Sequence, residues 1–125
     1  MLADTDAIAT IAVKDLAVAR KFYGDTLGLK TKTSAQETEA LEYKSGNSRM
    51  LVYRSQFAGT NKATAVNWVV NDIEAVVSTL KAKGVTFEHY DMPGLTLKGD
   101  IHVAEKMKIA WFKDPDGNIL ALMNG

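Results

Sequence analysis

The sequence contains two copies of one pattern, and this internal repeat constrains the fold more than any other feature. Residues 8–18 match residues 65–75 position for position, with Asp15 aligned on Asp72 at a constant offset of 57 residues. In each copy an apolar run of strand length stops at the Asp, whose carboxylate can accept a free backbone N–H at a helix start. A repeat of this kind fixes the architecture before any single residue is interpreted.

Each copy continues as a helix followed by three short strands. Apolar residues recur after each Asp with the 3.6-residue period of a helix that has one buried face. Gly28 and Gly84 are placed to end these helices in a left-handed turn. Extended segments are predicted at 29–34, 39–45 and 48–55 in the first copy and at 85–91, 107–113 and 118–123 in the second. Turn-forming residues at 45–48 and 114–118 predict hairpin loops.

The predicted fold class is α+β, with two βαβββ modules at about 7–56 and 63–124 in a single domain over residues 1–125. One helix per module covers the outer face of a curved mixed sheet. We expect the two uncovered faces to pair around a central trough, and troughs of this kind bind small molecules. The second copy carries about 15 extra residues at 92–106, for which we predict a loop that serves as a lid or rim.

Charge and composition exclude several classes of function. The chain has 15 Lys and Arg against 15 Asp and Glu, so its formal net charge is zero, which argues against binding to nucleic acid or to an anionic membrane. It has no cysteine, which excludes thiolate catalysis and disulfides. No secretory signal or membrane-length apolar run is visible, so we expect a cytoplasmic protein. Low self-repulsion is compatible with a homodimer.

Two sequence signatures resemble the vicinal oxygen chelate superfamily, which includes glyoxalases, bleomycin-resistance proteins, fosfomycin-resistance enzymes and extradiol dioxygenases. The first signature combines Val13-Lys14-Asp15-Leu16, Ala19-Arg20-Lys21-Phe22-Tyr23 and Leu27-Gly28-Leu29, and the second is Phe112-Lys113-Asp114-Pro115-Asp116-Gly117-Asn118. The resemblance covers nearly the whole chain. It implies paired βαβββ modules and, in the metal-using members, His, Glu or Gln ligands on the first and last strands of each module.

The positions that the resemblance assigns to metal ligands hold aliphatic residues in this sequence. They are Ile8, Leu51, Ala65 and Ala121. Divalent metals in proteins are held by nitrogen, oxygen or thiolate donors, and none of these side chains supplies one. We therefore predict a protein that uses no metal and no other cofactor. A weaker metal candidate surrounds His89 and His102, the only histidines, which lie near several carboxylates in the sequence.

Strand alternation assigns one set of residues to the trough. If residues 114–118 close a hairpin with Lys113 opposite Ile119, then Trp111 lies opposite Ala121 on the trough face. An indole wall beside Tyr53, above an aliphatic floor, suits an apolar or aromatic ligand, with Asn67 and Thr10 as hydrogen-bonding groups. The predicted ligand-binding residues are Ile8, Thr10, Leu51, Tyr53, Asn67, Val69, Trp111, Ala121 and Met123.

The favoured function is therefore a metal-free small-molecule binding protein of the glyoxalase/bleomycin-resistance type. One alternative is an enzyme of the same fold that replaces the metal with acid–base groups, drawn from Tyr53, His89 or His102, and Asp100 or Glu105. Another is a structural or regulatory dimer module without a cavity, in which Trp111 is ordinary core. A cavity lined by titratable groups would favour the enzyme.

Overall fold

A computed structural model of the chain describes residues 1–32 and 39–125. Within it the chain divides into two compact units, Met1–Thr60 and Asn61–Gly125. Each unit carries one copy of the repeat. The model confirms the predicted α+β class, with mixed sheets of four and six strands.

The first unit is a four-stranded sheet with one helix. Its elements are β1 (Ala9–Val13), α1 (Leu16–Ala19, continued by a π-helical turn over Arg20–Thr26), β2 (Lys30–Thr31), β3 (Ala40–Ser45) and β4 (Ser48–Arg54), after a short 3-10 turn at Leu2–Asp4. The strand order is β1-β4-β3-β2, and β1 runs parallel to β4. Residues 33 and 34 of the strand predicted at 29–34 lie outside the described residues.

The first helix begins where the sequence predicts but widens after one turn. The Asp15 carboxylate accepts the backbone N–H groups of Ala17 at 2.8 Å and Val18 at 3.3 Å. Beyond Ala19 the helix is π-helical, and it ends before Gly28, whose φ is 77°. Periodicity identifies which face of a helix is buried and does not determine its hydrogen-bond step, so the π turn was not predictable.

The second unit repeats this topology and extends it. Its elements are β5 (Thr64–Val70), α2 (Ile73–Ala82), β6 (Phe87–Glu88), β7 (Thr96–Lys98), β8 (Ile101–Ala104), β9 (Met107–Lys113) and β10 (Ile119–Asn124). The order is β5-β10-β9-β8-β7, with β5 parallel to β10, and β6 also pairs with β9. Asp72 caps α2 by accepting the N–H of Ala75 at 3.1 Å.

Two predictions for the second copy are wrong. The strand predicted at 85–91 is reduced to Phe87–Glu88, and the loop predicted at 92–106 contains the hairpin of β7 and β8. Gly94 and Gly99, on either side of β7, have φ of 83° and 64°, a conformation that favours glycine. The hairpin of β7 and β8 forms because β8 pairs with part of one edge of β9, a contact that local sequence does not encode.

The core of each unit consists of strand residues that alternate toward its helix, together with helix residues that are buried. In the first unit these include Ile11, Val13, Leu41, Tyr43, Met50 and Val52, and in the second Ile73, Val77, Phe87, Ala110, Phe112, Leu120 and Leu122. Trp68 stacks on Phe112 with ring centroids 6.5 Å apart. Neither helix of the described chain has the length and apolar character needed to cross a bilayer.

Candidate ligand-binding site

The first unit brings four of the predicted ligand-binding residues to one side. Thr10 lies opposite Leu51 in the parallel pairing of β1 and β4, and Ile8 and Tyr53 continue the same alternation along these strands. The neighbouring residues of β4, Met50 and Val52, are buried on the other face. The Thr10 hydroxyl donates to the carbonyl of Ile8 at 3.2 Å, so it already has a local partner.

The second unit brings the other five together around β10. Ala121 pairs with Trp111 on one side and with Asn67 on the other, and Met123 pairs with Val69. This register, with Lys113 opposite Ile119, is the one that the sequence predicts. The amide of Asn67 donates to the sulfur of Met123 at 2.8 Å. Val69 is 65% exposed, whereas Ala121 in the middle of this face is only 2% exposed.

The hairpin loop between β9 and β10 fixes that register. The Asp114 carboxylate accepts the N–H groups of Asp116 and Asn118, each at 2.9 Å, and the Asn118 side-chain amide at 2.8 Å. Asp114 and Asn118 are both only 5% exposed. A loop closed by three such bonds holds its two strands in one alignment, and this alignment places Trp111 beside Ala121.

Trp111 is half-buried and lines a cleft of about 500 Å³ in the second unit. Its indole N–H donates to the hydroxyl of Thr64 at 3.1 Å, which fixes the orientation of the ring. The ring meets Tyr90 edge-on with centroids 5.3 Å apart. The other predicted ligand-binding residues of this unit do not line the cleft. Its walls are Lys62, Ala63, Thr64, Tyr90, Asp91, Met92, Trp111 and Ile119.

Sequence reasoning named His102 as a metal or acid–base candidate and did not predict its burial beside Trp111. His102 is 1% exposed and its ring lies 4.8 Å from that of Trp111. Its Nε2 accepts the backbone N–H of Tyr90 at 2.9 Å. Burial raises the pKa of the Tyr90 phenol above its usual value. The alternation of Ile101 and Val103 around His102 was the one local signal for a strand, and it did not indicate burial of His102, which lies on the opposite face from them.

His89 and Asp100 form a separate polar cluster with Lys81. Asp100 bonds His89 Nε2 at 2.8 Å through one carboxylate oxygen and Lys81 Nζ at 2.6 Å through the other. The hydrogen bond from Lys81, followed by that from His89, holds the pKa of Asp100 below its usual value. This cluster ties the turn between β7 and β8 to the end of α2 and does not line the Trp111 cleft. Glu105 is exposed in the turn between β8 and β9, with φ of 54°.

The residues at the positions implied for metal ligands do not fit a metal. In the first unit these positions are Ile8 and Leu51, and in the second they are Ala65 and Ala121; all four side chains are aliphatic. In the part of the chain that the structure covers, no three His, Asp or Glu side chains are grouped as metal ligands would be, and this includes the region of His89 and His102.

Solved structures with the same fold are numerous and distant in sequence. A glyoxalase family protein from Enterococcus faecalis has a TM-score of 0.72 and 21% identity over 99% of this chain and 100% of its own. A lactoylglutathione lyase from Agrobacterium tumefaciens has a TM-score of 0.71 and 15% identity over 97% of this chain and 94% of its own. A fosfomycin resistance protein from Listeria monocytogenes has a TM-score of 0.65 and 13% identity over 96% of this chain and 90% of its own. At these identities the likeness shows the fold alone.

The sequence itself supplies the family assignment. No curated protein matches the chain. One family model, described as Glyoxalase/Bleomycin resistance protein/Dioxygenase superfamily, matches residues 6–122. That match includes both repeats and both signatures that suggested the resemblance. The chain therefore belongs to the Glyoxalase/Bleomycin resistance protein/Dioxygenase superfamily.

Proposed function

We propose that this protein binds a small apolar or aromatic molecule against Trp111 and uses no metal to do so. The observation that carries the proposal is a half-buried indole, fixed by Thr64, that lines a cleft of about 500 Å³. Ligand sites are concave, mostly apolar and furnished with few polar groups, and cavities of this size hold small organic molecules. Because Thr64 already accepts the indole N–H, the ring offers a ligand its apolar surface.

The charges around the cleft favour an uncharged ligand. Lys62 and Asp91 are the charged residues of its lining, and their charges are opposite in sign. A ligand with a net charge would gain from one and be repelled by the other. Met92 and Ile119 complete an apolar wall beside Trp111. An uncharged compound with a flat ring fits this combination.

Aliphatic residues at the implied metal positions support binding without metal chemistry. Ile8, Leu51, Ala65 and Ala121 carry no donor atom that could hold an ion, and none of them lines the Trp111 cleft. The neighbours named above include proteins described as a lyase and as a resistance protein. A binding function requires of this chain only the fold that it shares with them.

The test uses the two tryptophans as separate reporters. Trp68→Phe leaves Trp111 as the only indole, and Trp111→Phe leaves Trp68, which stacks on Phe112 on the opposite face of the sheet. A panel of uncharged aromatic compounds is titrated into both variants, with and without a metal chelator. We expect at least one compound to change the emission of the Trp68→Phe variant saturably, to leave the Trp111→Phe variant unchanged, and to be insensitive to the chelator.

Two results would overturn this proposal. The first is that no compound changes the emission of Trp111. The second is that binding is lost with the chelator and restored by a divalent salt, since the site would then require an ion that its residues do not account for. Thermal denaturation of both variants controls for misfolding.

We also propose a homodimer in the cytoplasm, in line with the zero net charge. Sedimentation velocity at micromolar concentration tests the dimer, and a monomer would contradict it. Recovery of the tagged protein from fractionated cells tests the compartment.

The second candidate function is acid–base catalysis, and the pairing of His89 with Asp100 favours it. A carboxylate that holds an imidazole at 2.8 Å is the arrangement that orients a general base. The Trp111 cleft, however, is lined by neither group. Turnover of a compound that binds the cleft, abolished by His89→Gln with binding retained, would favour the enzyme over the binding protein.

A further inference from the structure

Two buried polar atoms beside Trp111 have no hydrogen-bond partner. Among the described residues three side-chain polar atoms are in this state: Tyr43 Oη in the first unit, and Tyr90 Oη and His102 Nδ1 in the second. The rings of Tyr90 and His102 lie 6.1 Å apart, and each contacts Trp111. Buried polar groups are nearly always paired, so two unpaired ones against one indole indicate a missing partner.

The hydrogen bonds that are present determine what this partner must be. Tyr90 N–H donates to His102 Nε2, so this nitrogen is an acceptor and carries no proton. A neutral imidazole then carries its proton on Nδ1, which makes the unpaired atom a donor. The Tyr90 hydroxyl is also able to donate. Both atoms are satisfied by a group that offers acceptor lone pairs.

An uncharged acceptor fits better than an anion. His102 is 1% exposed, and an anion placed against it would be buried without a dedicated counter-ion, which is costly. Lys62 and Asp91 in the cleft lining cancel each other in charge. A carbonyl oxygen has two lone pairs and no charge, so it suits two donors in an apolar setting.

We propose, resting on the ligand cleft proposed above, that Tyr90 Oη and His102 Nδ1 donate to a carbonyl oxygen of the ligand, so that the ligand class is uncharged aromatic carbonyl compounds. Tyr90 lines the cleft directly, and His102 lies against the two aromatic rings of its wall. His102 belongs to β8, within the extra residues that the first copy of the repeat lacks. The insertion thereby contributes polar recognition to a site whose wall consists of Met92 of the insertion and of residues outside it.

The test compares two probes that differ chiefly in one oxygen, naphthyl methyl ketone and ethylnaphthalene, by ligand-observed NMR titration. With the unmodified protein we expect the ketone to bind about tenfold more tightly, the ratio for one to two neutral hydrogen bonds. Tyr90→Phe keeps the ring and the backbone N–H, and we expect it to weaken the ketone about fivefold and leave the hydrocarbon unchanged. Tyr43→Phe is the matched control, because it also removes an unpaired buried hydroxyl but in the first unit.

The proposed role of His102 as a donor is tested by observing its ring nitrogens. The chain has only two histidines, so ¹⁵N correlation spectra of the imidazoles are simple. We expect a neutral His102 with the proton on Nδ1, and a shift of that nitrogen when the ketone binds. A proton on Nε2 in the free protein would overturn the assignment of the donor.

The outcomes separate this inference from the proposed function. Equal affinity for the two probes, with Trp111 responding to both, overturns the carbonyl preference, assigns the unpaired atoms to water and leaves the binding function intact. A loss of both probes in Tyr90→Phe also overturns it, since the hydroxyl would then act on the shape of the cleft. If neither probe binds, while Trp111 responds to no compound of the wider panel, both proposals fail together.

Discussion

Removing the Asp114 side chain should destabilise the second unit by opening the loop between β9 and β10. Asp114→Ala deletes an acceptor that holds three donors at 2.8–2.9 Å in a loop where Asp114 and Asn118 are 5% exposed. A hydrogen bond to a charged group contributes about 1.5–3 kcal/mol. The three bonds share one carboxylate, so their loss is not additive, and water entering the loop recovers part of it.

We therefore expect Asp114→Ala to lower the free energy of unfolding by about 3 kcal/mol. For a chain of this size that corresponds to a fall in Tm of about 9–15 °C. Asp114→Asn should cost about half as much, because Oδ1 still accepts two backbone N–H groups while the new amide faces the Asn118 amide. Comparison of the two variants therefore measures how much Asp114 Oδ2 contributes to the free energy of unfolding.

The assay is urea denaturation followed by tryptophan emission. Trp68 and Trp111 both lie in the second unit, so the signal reports the unit that contains the mutation. Asp91→Ala is the control, because Asp91 is an exposed aspartate with no hydrogen-bond partner in the described residues. If Asp114→Ala lowers the free energy of unfolding by less than about 1 kcal/mol, the reasoning is refuted, since Pro115 and Gly117 alone would then hold the register of the loop.

Three further predictions concern single contacts. The pKa of Asp100 is lowered in the folded state, so the stability that its carboxylate contributes is complete above the unfolded pKa of 3.8 and is lost as pH falls through the lower folded pKa. Asp100→Asn should therefore be less stable at neutral pH. In an acid titration followed by circular dichroism, its stability should change less with pH than that of the unmodified protein. Gly84→Ala should cost about 1–2 kcal/mol in thermal denaturation, because φ is 95° and the new Cβ meets open space, so that backbone strain alone acts. Asp72→Ala should cost about 1 kcal/mol by removing the cap on Ala75, and a neutral result in urea denaturation would contradict the role of that bond.

The sequence contains enough local information to predict most of the scaffold. The repeat that aligns Asp15 with Asp72 predicted two βαβββ modules, and both residues cap helices as expected. The loop that begins at Asp114 predicted the register that sets Trp111 opposite Ala121. These features are decided over a few neighbouring residues, by side chain to backbone hydrogen bonds and by strand alternation, so that their cause lies within the segment itself.

The positions of the polar groups in the candidate site depend on the tertiary structure and not on the local sequence. Nothing in the local sequence predicted that His102 is buried or that Tyr90 packs against Trp111, and a loop was predicted where β7 and β8 form. β8 exists because part of one edge of β9 is free to accept it, and that pairing joins residues far from the repeat signature. Which strands find an open edge depends on the assembled sheet. The scaffold could therefore be predicted from the sequence alone. The groups that would recognise a ligand could not, because only the pairing of strands in the folded sheet brings them together.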